Sequence, residues 1–249
     1  MDFRITKPRH IFALIMLIST FFFFLLIPLF SFFDILSFSQ VSRNENISEY
    51  YSWLAELLVL FLQVFLAFFL LIIVPLFWYK MVNNFGFDQI KLKLKLEKNK
   101  IGRLLAISFI TTIVAFFCVV AIGTIFISLG YDLENASNIP DLELYFSLPA
   151  LLIIILLQPI AEEFFFRGFL LEKISSISGI IPATLATSIL FGIAHISYGN
   201  VYPAITTIFV GLLFAYVVVK TNSLYSSIIA HVLYNLISFG TYIFLKSYT

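Results

Sequence analysis

The feature that most constrains this chain is the recurrence of apolar stretches about as long as a lipid bilayer is thick. They run approximately Ile11 to Phe33, Leu54 to Tyr79, Leu104 to Leu129, Leu148 to Leu170, Ile180 to Ile196, Pro203 to Val219 and Leu224 to Leu245. A hydrocarbon core of about 30 Å takes roughly 20 residues of helix, and lipid offers no partner to an open backbone hydrogen bond. The runs are rich in Phe, Ile and Leu and lack the polar residue at every second position that a transmembrane barrel needs for its lumen. The fold class is therefore all-α, a polytopic transmembrane helical bundle of about seven membrane helices. Composition agrees, since 61% of the 249 residues are hydrophobic and 12% charged, too few for a water-solvated globule. The lipid bilayer is the principal solvent. The first run follows Arg4, Lys7 and Arg9 as a signal peptide would, but it outruns an h-region of roughly 7 to 15 residues and has no small-x-small cleavage site, so it is read as a retained helix.

The connections orient the bundle. Lys80, Lys91, Lys93, Lys95, Lys98, Lys100 and Arg103 crowd the second, whereas the third, Gly130 to Ser147, carries Asp132, Glu134, Asp141 and Glu143 and no Lys or Arg. Cytoplasmic loops are the basic ones, so the N-terminus and the second loop are expected in the cytoplasm. The expected setting is a multi-pass protein of a prokaryotic cytoplasmic membrane. Ile90 to Lys98, IKLKLKLEK, alternates apolar and charged residues and reads as a basic element on the lipid surface. No internal repeat is visible, which counts against a transporter built on inverted repeats. The chain divides into N-terminal membrane helices with the basic loop, 1–147, and a helical core decorated with polar residues, 148–249. A net charge of +1 without a clustered basic face excludes nucleic acid as a partner. The single cysteine, Cys118, is an apolar packing residue. The sequons at Asn46 and Asn135 matter only in a secretory-pathway protein.

Ionisable groups inside a membrane segment cost about 2.5 to 3.5 kcal/mol each on insertion scales, so they ask for a reason. They concentrate in the fourth run, where Gln158 to Leu170 reads QPIAEEFFFRGFL. Glu163 and Arg167 stand four apart with the acid first, the favourable order for an ion pair on one helix face. Glu162 lies about 100° around the helix from Glu163, so one carboxylate is neutralised locally and the other is left to act. Glu172 and Lys173, further along, read as solvated beyond the interface. Later runs add His195, in FGIAH, and His231 with Asn235 one turn on, in HVLYN. A lone membrane histidine is usually a packing residue, but here two accompany a free carboxylate on three separate helices. A desolvated carboxylate can act as general base toward a water. His and Asn can donate to the oxyanion of a tetrahedral intermediate. A carboxylate with two histidines also fits a divalent metal such as zinc with an open fourth position, although the His-Glu-x-x-His motif is absent.

The set Glu-Glu-x-x-x-Arg, Phe-x-x-x-His and His-x-x-x-Asn, in this order on successive apolar helices, resembles the CAAX-processing and bacteriocin-immunity (CPBP or Abi) family of intramembrane proteases. The likeness covers Leu148 to about Leu245. It implies an intramembrane peptidase whose catalytic set is Glu162, Glu163, Arg167, His195, His231 and Asn235. In it Glu162 activates water with help from His195, and His231 and Asn235 hold the substrate carbonyl and its oxyanion. The implied substrate is a membrane protein or peptide, and the resemblance leaves open whether a metal takes part. Two other classes fit the same residues: a protein of this fold that binds a partner without cleaving it, and a proton-coupled transporter using Glu162 and the histidines as a relay. Counted from the cytoplasmic side, His231 comes out about 10 Å deep, Glu162 about 12 to 18 Å and His195 near 22 Å. Either the fifth helix is short and tilted or the turn from Ser197 to Pro203 dips into a cavity. A conical cavity open toward the cytoplasm is expected.

Overall fold

The structure, a computed structural model, describes residues 3–32, 49–96, 101–131, 133, 146–196 and 200–248. Both sequons, the acidic residues of the third loop, Lys98, Lys100 and the start of the turn at Ser197 lie outside these residues. Among the described residues six helices are long and apolar enough to cross a membrane: α1 (Pro8–Phe30), α2 (Trp53–Met81), α4 (Ile101–Ser128), α5 (Leu148–Ser178), α7 (Tyr202–Thr221) and α8 (Leu224–Lys246). Two shorter ones accompany them among the described residues, α3 (Phe87–Lys93) and the apolar α6 (Ile180–Ile193). The chain is the helical membrane bundle that its apolar runs predict. The fifth run differs in kind, because α6 has 14 residues and therefore spans about 21 Å, short of a bilayer core.

Their lengths follow from local signals. Pro149 in the first turn of α5, where no backbone N–H is needed, and Gly179 at φ 85° between α5 and α6 bound the longest helix. Asn222 at φ 50° reverses the chain between α7 and α8. Helix α5 extends past the expected Leu170 because its middle, Phe164–Leu170, continues as a π-helical segment. Such wide turns are rare and cluster at functional sites.

Packing around α5 makes the core. Helix α2 packs on its first half and α8 along it, α6 packs against α7, and α4 covers α7 and α8. Hydroxyls tie α4 to α8, with Ser108 Oγ donating to Ser226 O at 2.9 Å and Thr112 Oγ1 to Ala230 O at 3.0 Å. Between α6 and α7 there is no room for a side chain at Gly192, where a Cβ would stand 2.6 Å from Ala204 O. Small residues serve this way in membranes because helices there associate by close packing, not by hiding apolar surface from water.

The helix order gives the bundle two ends of different character. One holds Arg4 and Lys7 before α1, Arg9 in its first turn, Lys80 at the end of α2, the α3 lysines, Arg103 at the start of α4, Lys173 near the end of α5 and Lys220 at the end of α7. Phe3 stacking on Trp78 and the 3.4 Å pair between Lys93 and Glu172 hold this end together. Glu172 and Lys173 are half-buried and paired here, not simply solvated: Glu172 also accepts from Tyr79 Oη at 3.2 Å, and Lys173 donates to Asn83 at 3.0 Å. The first residues of the stretch beginning at Ile90 complete α3, with Ile90 and Leu94 buried in the main core and Lys91, Leu92 and Lys93 exposed. It caps the basic end of the bundle as well as facing outward. At the opposite end α5 begins, with Ser147 N donating to Glu56 Oε1 at 2.7 Å, and among described residues its Lys or Arg is Lys246.

Candidate active site

Helix α5 carries the acidic groups at mid-length, and the order of its side chains divides their work. Gln158, one turn before Glu162, donates from Nε2 to Glu162 Oε1 at 2.7 Å and is itself approached by Gln63 of α2 at 3.4 Å. One carboxylate oxygen is thereby held, and the other, Oε2, stands 3.9 Å from His195 Nε2 and 3.9 Å from His231 Nε2. Glu163 points away from this space. Its Oε1 lies 3.2 Å from Arg167 Nη1 and 3.0 Å from His231 Nδ1, with the acid and the arginine side chains fully buried. His231 therefore spans the two carboxylates, one ring nitrogen on each.

Arg167 sits within the π-helical segment, enclosed by aromatic rings. Nη2 donates to Gly211 O at 3.2 Å, and the guanidinium lies 4.1 Å over the Phe191 ring, whose face is electron-rich. Nε and Nη1 have no aligned hydrogen bond, so the contact with Glu163 is mainly charge on charge. Gly211 lets the guanidinium lie close against α7, because a Cβ there would come within 2.9 Å of Arg167 Nη2.

Hydrogen bonding also sets the ring tautomers. His195, in the turn after α6, has Nδ1 2.8 Å from Phe191 O, and a carbonyl only accepts, so Nδ1 carries the proton. His231 Nδ1 faces a carboxylate and carries its proton for the same reason. In both neutral rings Nε2 is then an acceptor aimed at the space beside Glu162. It becomes a donor only when the ring takes a second proton.

Glu162, His195, His231 and Asn235 line one cavity of about 280 Å³ with Gln158, and apolar walls come from Leu151, Ile154, Ile155 and Phe239. Glu163 and Arg167 are not among its lining residues; they stand behind His231. Gln158 and Gln63 had no role in the sequence reading, although the four-residue spacing from Gln158 to Glu162 was a usable signal for the first. No group of three or more His, Cys, Asp or Glu side chains among the described residues is arranged to hold a metal ion. Ligands about 2.0 to 2.2 Å from a tetrahedral zinc ion stand roughly 3.4 Å apart, so the observed 3.9 Å separations are about half an ångström wider than a closed zinc site. The cavity extends from Glu162 away from the basic end of the bundle. Its lining residues on α5 precede Glu162 and those on α8 follow His231, toward the end where α5 begins. The basic side of the carboxylates is filled instead by α5 residues 164–171, all buried.

Comparison with known proteins adds an independent line. Residues 144–237 match the family described as Type II CAAX prenyl endopeptidase Rce1-like. The match begins just before α5, ends within α8 and takes in Glu162, His195, His231 and Asn235, so the resemblance drawn from the three motifs holds over this region. A curated relative, "Uncharacterized protein YyaK" of Bacillus subtilis (strain 168), is 35% identical over 95 residues, which are 36% of this chain. The chain spans about a third of that relative's length, 32%. No solved structure matches.

Proposed function

We propose that this chain is an intramembrane endopeptidase that hydrolyses a peptide bond of a membrane-associated protein or peptide, with Glu162 as the general base. The observation that carries the reading is the Glu162 carboxylate, fixed by Gln158 through one oxygen and turned with the other toward two imidazole acceptors 3.9 Å away. Polar atoms at that separation suit a bridging water. A water there donates one hydrogen bond to Glu162 Oε2 and points its other hydrogen at a histidine Nε2, which leaves an oxygen lone pair toward the apolar cavity.

The chemistry then follows from these residues. As the water oxygen bonds to the scissile carbonyl carbon, its proton passes to Glu162, and charge develops on the carbonyl oxygen. Asn235, one turn beyond His231 on the cavity wall, supplies amide N–H donors to that oxygen. When the C–N bond breaks, the Glu162 carboxyl returns its proton to the leaving amine, and the carboxylate is restored. Glu163 and Arg167 act through His231: the carboxylate fixes the ring's tautomer and orientation, and the arginine keeps that carboxylate charged and in place. They are positioning residues. The apolar walls hold the substrate chain and keep bulk water from the reacting atoms.

The test is cleavage of a quenched fluorogenic apolar peptide by the full chain in proteoliposomes. Glu162→Gln keeps shape and hydrogen bonding but removes the base, so activity should fall at least ~10²-fold with normal insertion and folding. Undiminished cleavage by this variant would remove Glu162 from the mechanism.

A further inference from the structure

The N-terminal segment gathers charge that the site around Glu162 does not use. Arg4, Lys7 and Arg9 lie close together in sequence, and the chain before α1 folds back on itself, with Lys7 N donating to Arg4 O at 3.1 Å and Arg4 N to His10 Nδ1 at 2.9 Å. Ring contacts pin this turn to the end of α2: Phe3 stacks on Trp78 with centroids 6.0 Å apart, and the buried His10 lies 5.7 Å from Phe3. Facing it is the turn that follows α2, reversed at Asn84 with φ 56°, a left-handed conformation that asparagine tolerates. Between the two turns lies a pocket of about 510 Å³, lined by Phe3, Arg4, Lys7, Arg9, Asn83 and Asn84 and by no acid.

No carboxylate answers these cations among the described residues. The ion pairs at this end join Lys93 and Lys173 to Glu172, at 3.4 and 3.1 Å, and none reaches Arg4, Lys7 or Arg9. Helix α1 adds the same sign, because its N-terminus, the positive end of the helix dipole, has no acidic residue in the first turn and no side-chain cap. Like charges held around one space repel and weaken the fold unless an anion sits among them. Size and surroundings say which anion. The volume falls in the range of ~300 to 1,000 Å³ of pockets that take a whole ligand, more than a bare ion needs. Guanidinium groups match phosphate oxygens two at a time. One turn deeper on the face of α1 that carries Arg9, Phe12 is 54% exposed and packs edge-on to Phe77 of α2 at 5.6 Å. Ile5, between Arg4 and Lys7, is 72% exposed. Free phosphate would leave this apolar rim unused, whereas a phospholipid occupies both parts.

We propose that the pocket binds the phosphate-bearing headgroup of an anionic membrane phospholipid. Arg4, Lys7 and Arg9 hold the phosphate, the Asn83 and Asn84 amides meet the polar group attached to it, and the acyl chains run down past Phe12 and Phe77. Basic pockets between membrane helices recognise such headgroups by charge and hydrogen bonding together. The lipid ties α1 to the end of α2, and the proposal stands whether or not the chain is a peptidase.

The test is the unfolding midpoint of the full chain in a non-ionic detergent, titrated with dioctanoyl phosphatidylglycerol, dioctanoyl phosphatidylcholine or inorganic phosphate. Phosphatidylglycerol should raise the midpoint saturably, as a ligand of the folded state does. Phosphatidylcholine, whose choline would add a further cation to the pocket, should not. No rise with phosphatidylglycerol, or an equal one with phosphatidylcholine, overturns the proposal. A rise with inorganic phosphate that phosphatidylglycerol does not exceed at equal concentration overturns the lipid source and assigns the pocket to free phosphate. Combining Arg4→Gln, Lys7→Gln and Arg9→Gln should raise the half-saturating phosphatidylglycerol concentration on the order of 100-fold, at roughly fivefold per charge. Combining Lys80→Gln, Lys91→Gln and Lys220→Gln takes the same charge from the same end but outside the pocket, and should shift it far less. Equal losses in the two triple variants would mean diffuse attraction to the basic end and overturn the pocket. Because loss of N-terminal charge can also disturb insertion, Asn84→Asp provides a variant that keeps every cation and places an acid in the lining. It should weaken phosphatidylglycerol roughly fivefold, and an unchanged half-saturation overturns the placement of the headgroup.

Discussion

Glu163→Gln isolates the buried charge pair from the chemistry. The substitution is nearly isosteric, and the new amide oxygen can still accept from His231 Nδ1, so what is lost is the charge opposite Arg167. At the observed 3.2 Å a pair of unit charges is worth about 5 kcal/mol at an effective dielectric constant of 20. That agrees with the ~3 to 5 kcal/mol typical of breaking one side of a buried ion pair. Little in the surroundings compensates, because Arg167 retains only the Gly211 carbonyl and the ring faces. The variant should therefore show a clearly lower unfolding midpoint in detergent, whereas Glu162→Gln should unfold close to wild type. Adding Arg167→Met removes the stranded charge, fills the space between Phe191 and Phe214, and should recover a large part of the loss. Equilibrium unfolding of the two single variants and the double gives the coupling energy directly. A coupling near zero, or a double variant less stable than either single, would show that the pair does not hold this region together. Activity provides the second axis: if Glu163→Gln lost as much turnover as Glu162→Gln at full stability, Glu163 would have to touch the reacting atoms, and its place behind His231 would be refuted.

Other perturbations address the parts around it. Gln158→Leu removes the donor to Glu162 Oε1, a bond to a charged group worth about 1.5 to 3 kcal/mol, and should lower kcat roughly 10- to 100-fold with little change in KM; unchanged kcat in the peptide assay would show that Glu162 needs no such anchor. Gly192→Ala places a Cβ 2.3 Å from Ile208 Cγ1 and 2.6 Å from a backbone oxygen, so α6 and α7 must separate. Overpacking of this kind costs about 1 to 3 kcal/mol, and because His195 follows α6 the variant should lose activity along with thermal stability; a wild-type unfolding midpoint would contradict the packing described. Cleavage should persist in proteoliposomes dialysed against a strong chelator, and activity lost there and restored by zinc would replace the water-and-carboxylate mechanism with a metal-assisted one.

Much of this protein is legible in one dimension. Bilayer length and the absence of partners in lipid turn each long apolar run into a helix, and the spacing of four residues puts Glu163 beside Arg167 and Asn235 beside His231, because those relations are internal to one helix. The exception proves local too: α6 stops at Ile193, where its sequence still reads apolar, since helix length in a bundle answers to packing against α7 as well as to lipid. Relations between helices were not available in that way. A helical period says which residues share a face but not which face turns toward which neighbour, so the bridge from His231 to both carboxylates and the approach of Gln63 to Gln158 appear only once the helices are packed. The direction of the cavity is of the same kind. Depth counted along each run treats every helix as starting at the membrane surface, yet Leu224 begins α8 packed over Gly168, well inside the basic end, with its amide bonded to Lys95 O. That inset carries His231 level with Glu163, and the phenylalanines beside them, apolar residues that the sequence alone assigns equally well to lipid, fill the space on the basic side and leave the cavity on the other.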